Sequence, residues 1–337
     1  MIEDRPPLAS GALDRDAATR ATPELLRAAW REPATRVLRM RGVEIPISVA
    51  DGPPRLSLQP AAGELPAPTA TAPAGHVYLG RAEGRAVFAA AEEAQADAVP
   101  AEAAPAETAT ADPAAATEPQ APAEAAAPAA APERWVHPFE VAAQLEDTER
   151  ELVAVASALL RWHEAAVYSP RDGEATEVVL GGWGRRDARG GELFPRTDPA
   201  VIVLIEHEDR ILLGSNALWE AGRFSLLAGF VEAGEALEQT VAREVFEEAG
   251  VRLDDIEYVT SQPWPFPRSL MLGFRARLAA GSDPAALHPD PEEISELRWF
   301  SREQLRTPEP GIVLPTTVSI ARWMIDRWVA EGDAGDR

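Results

Sequence analysis

The sequence predicts an α/β protein in two folded parts: a small mixed unit at the N-terminus and a compact C-terminal unit of alternating strands and helices. Three observations carry this. From Thr197 onward, apolar runs of strand length alternate with amphipathic helical stretches. Earlier, Val77-Tyr78-Leu79-Gly80 and Arg85-Ala86-Val87-Phe88 flank Ala82-Glu83-Gly84 as the arms of a hairpin. Between the two parts the composition changes abruptly after Phe88. The 337 residues, 46% of them apolar, suffice for about two domains.

The elements follow in order. Residues 1–88 read as the N-terminal unit, with the strands before the hairpin only faintly marked. Ala89 to Pro132 is almost wholly Ala, Pro, Glu and Thr, without an aromatic or basic side chain, and nine carboxylates lie between Ala89 and Glu133. Such a stretch has too little bulky apolar surface to offset its ordering entropy, and prolines interrupt the helices its alanines favour, so residues 89–133 read as a disordered tether. Residues 134–168 read as a helical continuation of the N-terminal region, because Leu152, Val155, Leu159 and Trp162 recur at steps of three to four. A glycine- and arginine-rich connector occupies 169–196. The C-terminal unit, 197–331, carries strands near 200–206 and 210–214, a helix near 236–249, strands near 256–263, 270–278 and 297–300, and a helix near 317–330.

Composition excludes several chemistries. With no cysteine, the chain forms no disulfide, no thiolate zinc or iron–sulfur site and no cysteine nucleophile. Net charge −23, from 55 acidic and 32 basic residues, opposes sequence-independent binding to a polyanion, so DNA is not an expected partner. Met1-Ile2-Glu3-Asp4-Arg5-Pro6-Pro7 lacks the basic-then-apolar order of a secretory signal, and no apolar run reaches about 18 residues. The expectation is a soluble cytoplasmic protein with no membrane partner. His163 beside Trp162 reads as structural, and His76, His137, His207 and His288 show no ligand spacing.

Charge and periodicity coincide in Gly229-Phe230-Val231-Glu232-Ala233-Gly234-Glu235 and, seven residues on, Arg243-Glu244-Val245-Phe246-Glu247-Glu248-Ala249-Gly250-Val251. On a helix, with Glu244 at zero, Glu247 falls at about 300° and Glu248 at about 40°, so three carboxylates crowd one arc. Val241, Ala242, Val245, Phe246 and Ala249 form the adjoining stripe that this helix would bury. Like charges at such spacing repel unless divalent cations bind between them, and oxygen-only ligands favour Mg²⁺ or Mn²⁺. Gly229 and Gly234 permit close approach or positive φ in the loop entering the helix, and Gly250 stands where an αL residue would end it. Glu235 suits the helix entrance, and Arg243 is placed to pair with Glu247.

This spacing, Gly-x5-Glu-x7-Arg-Glu-Val-x-Glu-Glu-x-Gly-Val, matches the Nudix box and resembles the Nudix hydrolases. Ser261-Gln262-Pro263-Trp264-Pro265-Phe266-Pro267-Arg268-Ser269 is similar to the signature of the NADH pyrophosphatase branch, and Leu193 to Ile202 to that branch's lead-in. The resemblance extends over about four fifths of the chain. It implies an αβα sandwich with a mixed sheet, and hydrolysis of the NADH or NAD⁺ diphosphate to AMP and nicotinamide mononucleotide. Removal of NAD caps from RNA is a further activity that the family allows. It also implies two to three Mg²⁺ or Mn²⁺ ions on Glu244, Glu247 and Glu248, with the Ala228 carbonyl and Glu293 (or Glu292) completing the set. Glu248 is the candidate for orienting or deprotonating the attacking water. By the same resemblance, Gln262, Pro263, Trp264, Pro265, Phe266, Pro267, Arg268, Ser269 and Ala321 contact substrate, and the protein is a homodimer. Phe194 or Phe230, each beside a matched motif, is proposed to stack on nicotinamide.

One departure concerns zinc. Where the branch carries two Cys-x2-Cys pairs, this sequence has Ser169 and Asp172, then Asp187 and Gly190, although it keeps the spacing and the Gly181-Gly182-Trp183 turn. No zinc is expected, and this degenerate ribbon is held by packing, by the pairing of Arg185 and Arg186 with acids, or only poorly. Two other functions compete: a broader hydrolase of ADP-ribose or dinucleoside polyphosphates, and a non-catalytic NAD-sensing module. The Ser261–Ser269 string opposes the first, and the intact carboxylates oppose the second.

Overall fold

The computed structural model describes residues 5–48, 52–67, 75–92 and 133–335. The N-terminal unit contains α1 (Ala17–Ala21), α2 (Pro23–Arg31), β1 (Arg36–Met40), β2 (Ile45–Ser48), β3 (Arg55–Leu56), β4 (Leu58–Pro60), β5 (His76–Ala82), β6 (Arg85–Ala91), β7 (Glu133–Val136), α3 (Pro138–Val141) and α4 (Asp147–Ala165). Its larger sheet has the order β4-β1-β6-β5, with β1 and β6 parallel. Alternation along the strands divides the core in two. Val77, Leu79, Val87 and Ala89 meet Leu152, Val155 and Leu159 of α4, whereas Tyr78, Ala86, Phe88 and Ala90 meet Leu26, Ala29 and Trp30 of α2. Each large apolar side chain so buried contributes roughly 2 kcal/mol.

Strand β6 runs to Ala91, three residues beyond the expected boundary at Phe88. Ala89 and Ala90 are buried strand residues beside β1, a role that alanine-rich composition disguises. Most of the expected tether, 93–132, lies outside the described residues. Beyond it, residues 134–168 do not begin as a helix: β7 pairs with β2 in a second sheet, β3-β2-β7, and so returns the chain to the unit it left. Arg39 joins the two ends, pairing with Glu92 at 3.5 Å and Glu133 at 2.5 Å.

The connector forms a small sheet, β10-β9-β8, from β8 (Glu177–Val179), β9 (Gly184–Arg186) and β10 (Glu192–Leu193). The C-terminal unit follows with β11 (Asp198–His207), β12 (Arg210–Asn216), β13 (Leu227–Phe230), α5 (Leu237–Ala249), β14 (Leu253–Trp264), β15 (Ser269–Leu278), β16 (Ile294–Ser301), α6 (Arg302–Arg306) and α7 (Ile320–Gly335). The sheet is mixed: β11 and β15 are parallel and its other pairings antiparallel. Val201, Val203 and Ile205 of β11 face Val241, Val245 and Ala249 of α5; Ile202 and Leu204 face Ile320, Trp323 and Met324 of α7. This period-two division makes the αβα sandwich. Trp323 and Trp328 are buried packing residues, as expected.

The sheet forks along β11. Its first half pairs with β13 through Ala200 to Val203, and its last residues pair with β12 through Ile205 to His207. A cavity of about 460 Å³ is lined by residues of β12 and β13 at this fork. Among the described residues no helix is long and apolar enough to cross a membrane.

Candidate active site

Helix α5 carries the acidic cluster. Gln239 accepts from the Ala236 N–H at its start (2.8 Å), and Gly250 ends it in the αL region at φ 70°, donating to Phe246 O (2.9 Å). The buried stripe differs from the expected one. Val241, Val245 and Ala249 are fully buried, but Ala242 is exposed and Phe246 is 52% exposed, with Arg252 over its ring. Thr240 and Glu248 are buried instead. The helix is therefore rotated so that Glu248 points into the sheet side, in place of lying along the rim.

That rotation determines the electrostatics. Burial, then the neighbouring charges of Glu244 and Glu293, push the Glu248 carboxyl up to about 8, with a hydrogen bond from the Ala228 backbone opposing. Its Oε2 is buried without a hydrogen-bond partner among the described residues. Glu244 is also raised, first by burial, with Arg243 opposing. Arg243 organises the rest: it meets Glu235 at 2.7 and 2.9 Å, Glu244 at 2.9 Å, Glu247 at 3.0 Å and the Phe230 carbonyl at 3.0 Å. Hydrogen bonding by Arg243 brings Glu235 down to about 2, and Thr240 adds a bond at 2.8 Å. Glu235 thus orders Arg243, and Arg243 partly neutralises two of the three helix carboxylates.

Gly229 leaves room for the Glu244 carboxylate, since a Cβ there would land inside it and force it to move. Ala228 and Glu248 line the fork cavity together. The Glu293 charge acts on both Glu244 and Glu248, and the backbone N–H groups of Glu292 and Glu293 both bond to Asp290 (2.9 and 3.1 Å).

The donor set fits a hard divalent cation. A buried carboxylate oxygen lacks a partner, like charges crowd around it, and every nearby donor is oxygen. No three His, Asp or Glu side chains form a closed cage among the described residues. Arg243 holds Glu244 and Glu247, and Mg²⁺ is usually bound by one or two carboxylates with water and phosphate oxygens supplying the rest.

The motif residues divide in two. Trp264, Ala321 and Gln262 line the fork cavity; Pro263, Pro265, Pro267, Arg268 and Ser269 line a second one. Gln262, expected to contact substrate, is fully buried and occupied by backbone: it donates to Val318 O (2.9 Å) and Pro7 O (2.5 Å) and accepts from Ile320 N (2.7 Å). It anchors the start of α7 and the N-terminal segment. Arg268 pairs with Asp198 at 2.6 Å. Phe194 and Phe230 are 57% and 59% exposed, consistent with open ring faces. Sequence reasoning missed Phe139, which also lines the fork cavity and stacks on Trp264.

The ribbon positions do not fit zinc. Asp187 accepts from the N–H groups of Arg189 (2.9 Å) and Gly191 (2.7 Å), Asp172 accepts from Glu174 N (3.3 Å), and Ser169 receives Arg171 N (3.2 Å). These groups shape turns, and Gly190 offers no side-chain ligand. Arg186 pairs with Glu192 at 3.4 Å, as expected. Arg185 departs from the expected pairing with an acid: it is fully buried, donating to Thr176 Oγ1 (2.6 Å), Thr176 O (2.9 Å) and His163 Nδ1 (3.1 Å). Arg171 reaches Asp187 (3.8 Å) and Arg189 reaches Asp172 (3.5 Å), but these arginines are exposed and contribute little. The buried Arg185–His163–Thr176 group is the main fastening.

Residues 196–318 match the family model described as NUDIX domain. The NAD-capped RNA hydrolase NudC of Mycobacterium bovis is 45% identical over 198 residues, covering 55% of this chain and 62% of that protein. The NAD-capped RNA hydrolase NUDT12 of Homo sapiens is 36% identical over 208 residues, covering 57% of this chain and 44% of that protein. The chain thus spans less than two thirds of the length of these relatives. A solved NUDIX hydrolase from Nitrosomonas europaea aligns with 50% of this chain and 93% of its own, at 23% identity and TM-score 0.41.

Proposed function

We propose that this chain, whose residues 196–318 are a Nudix domain, hydrolyses the diphosphate of NADH or NAD⁺ to nicotinamide mononucleotide and AMP, and acts likewise on NAD-capped RNA. The observation that carries this reading is the buried Glu248 carboxylate, whose Oε2 has no hydrogen-bond partner among the described residues and whose charge meets those of Glu244 and Glu293, in a cavity also lined by Phe139, Phe224 and Trp264. Similarity to proteins named NAD-capped RNA hydrolases supports the substrate class.

Glu244, Glu247, Glu248, Glu293 and the Ala228 carbonyl would hold Mg²⁺ or Mn²⁺; when bound, such ions neutralise the diphosphate and lower the pKa of water. Glu248 would also orient the attacking water or take its proton. The water oxygen forms a bond to one phosphorus as the bridging P–O bond breaks, and the displaced phosphate keeps the bridging oxygen. Arg243 restrains Glu244 and Glu247 and, through the Phe230 carbonyl, fixes the loop carrying the exposed Phe230 ring for stacking. Phe194 is the second stacking candidate. The reading includes a homodimer, tested by light scattering.

The test is incubation of the full chain with NADH, NAD⁺, NAD-capped RNA and ADP-ribose in Mg²⁺ or Mn²⁺, with products separated chromatographically. AMP and reduced nicotinamide mononucleotide from NADH, lost in Glu248→Gln, support the reading. Turnover confined to ADP-ribose would replace it with the broader hydrolase.

A further inference from the structure

One wall of the catalytic cavity comes from outside the Nudix domain. Phe139 stands on the one-turn helix α3, whose orientation is fixed from both ends. Pro138 and Val141 are buried in the N-terminal unit, His137 Nδ1 accepts from Phe139 N–H (3.3 Å), and Glu140 accepts from His137 N–H (3.2 Å). With positions i and i+3 packed inward, the intervening ring projects away from that core. It meets Trp264 at the end of β14, stacking at 5.2 Å and 18°, and stands edge-on to Phe266 in the turn beyond it at 4.8 Å and 68°.

In the same unit as Trp264, Phe274 is buried as core, and Phe246 is exposed on α5 but does not line the Glu248 cavity. Phe139 instead stays 38% exposed and lines the cavity that Glu248 and Ala228 line. An aromatic surface left open in the cavity that holds the proposed phosphate-cleaving carboxylate suits a planar ring carried on the same substrate.

We propose that Phe139 is a specificity-determining residue, supplying an aromatic surface against which a ring of the dinucleotide packs. The N-terminal unit thereby takes part in choosing the substrate of the Nudix domain. This rests on the NAD(H) reading above and adds a residue to it.

The test uses steady-state kinetics of the full chain with NADH and with ADP-ribose, comparing wild type with Phe139→Ala, Phe139→Leu and Phe139→Trp. Expected is a roughly tenfold rise in KM for NADH in Phe139→Ala with kcat within about twofold, and recovery in Phe139→Trp but not in Phe139→Leu. A KM rise for NADH alone assigns the nicotinamide ring, and a rise for both substrates assigns the adenine; either supports the proposal. Unchanged KM overturns it, and so does a fall in kcat with lost thermal stability that Phe139→Leu rescues, because that marks a packing residue. Absence of NADH turnover in wild type sinks the functional reading and this inference together. Wild-type turnover with unaltered Phe139→Ala kinetics sinks the inference alone.

Discussion

Protonation of His163 should unfasten the ribbon. The imidazole is fully buried, its Nδ1 accepts from Arg185 at 3.1 Å, and its Nε2 lies 2.8 Å from the Gly182 carbonyl, which fixes the tautomer with the proton on Nε2. A second proton would sit on Nδ1, facing a guanidinium in an apolar setting. Burial first, then the Arg185 charge, bring His163 from 6.5 down to about 4, with the Gly182 bond opposing. The unfolded chain therefore binds this proton as pH falls through 6.5 while the folded chain does not until about 4. Folding stability falls across that window, by about 3 kcal/mol in all, because each pKa unit corresponds to about 1.4 kcal/mol. Urea unfolding at half-unit intervals from pH 7.5 to 4 measures it, and His163→Gln supplies the reference. Other titrating groups, including His76, whose pKa burial also lowers, are common to both proteins and cancel in the difference. Equal pH dependence of wild type and His163→Gln would refute the reasoning.

Other outcomes follow from the site. Glu248→Gln should lower kcat by roughly a hundredfold or more, as expected for loss of a general base, while raising the apo protein's thermal midpoint by about a few degrees. Burial keeps the folded Glu248 carboxyl protonated until about 8, whereas in the unfolded chain it ionises from 4.5, so the stability of the metal-free fold falls as pH climbs from 4.5 toward 8; calorimetry in chelator, then with Mg²⁺ restored, checks both. Gly229→Ala should cut activity at least roughly tenfold by displacing Glu244, a metal-positioning effect seen as a raised Mg²⁺ requirement in a cation titration. Gln262→Ala should cost about 2 kcal/mol in urea unfolding, since it leaves the Val318 and Pro7 carbonyls and the Ile320 N–H without their partner.

The C-terminal unit was legible because its strands alternate cleanly and its acidic helix has a motif with fixed spacing. The helix expected near 236–249 is Leu237–Ala249, and Gly250 takes the αL conformation assigned to it. Helix rotation was not legible. Val241, Val245 and Ala249 are compatible with burying either flank, and only the fit against β11 excludes Phe246 and draws Glu248 inward. Strand β13 escaped notice because Leu227–Phe230 is short and glycine-bearing, and pairing with β11 rather than propensity holds it. Gln262 shows the limit of motif reading: a polar residue in a substrate-binding string gives no sign of whether its amide faces ligand or backbone. Phe139 carries no periodic signal at all, and its partner Trp264 is remote in sequence.

The Arg39 clamp has a structural consequence. One guanidinium gathers the exit of β6 and the entrance of β7, so the intervening span, 93–132, departs from and rejoins a common anchorage. Two stretches separated by forty residues of sequence are thus fastened at a single side chain, on the unit that does not carry the Glu244–Glu248 cluster.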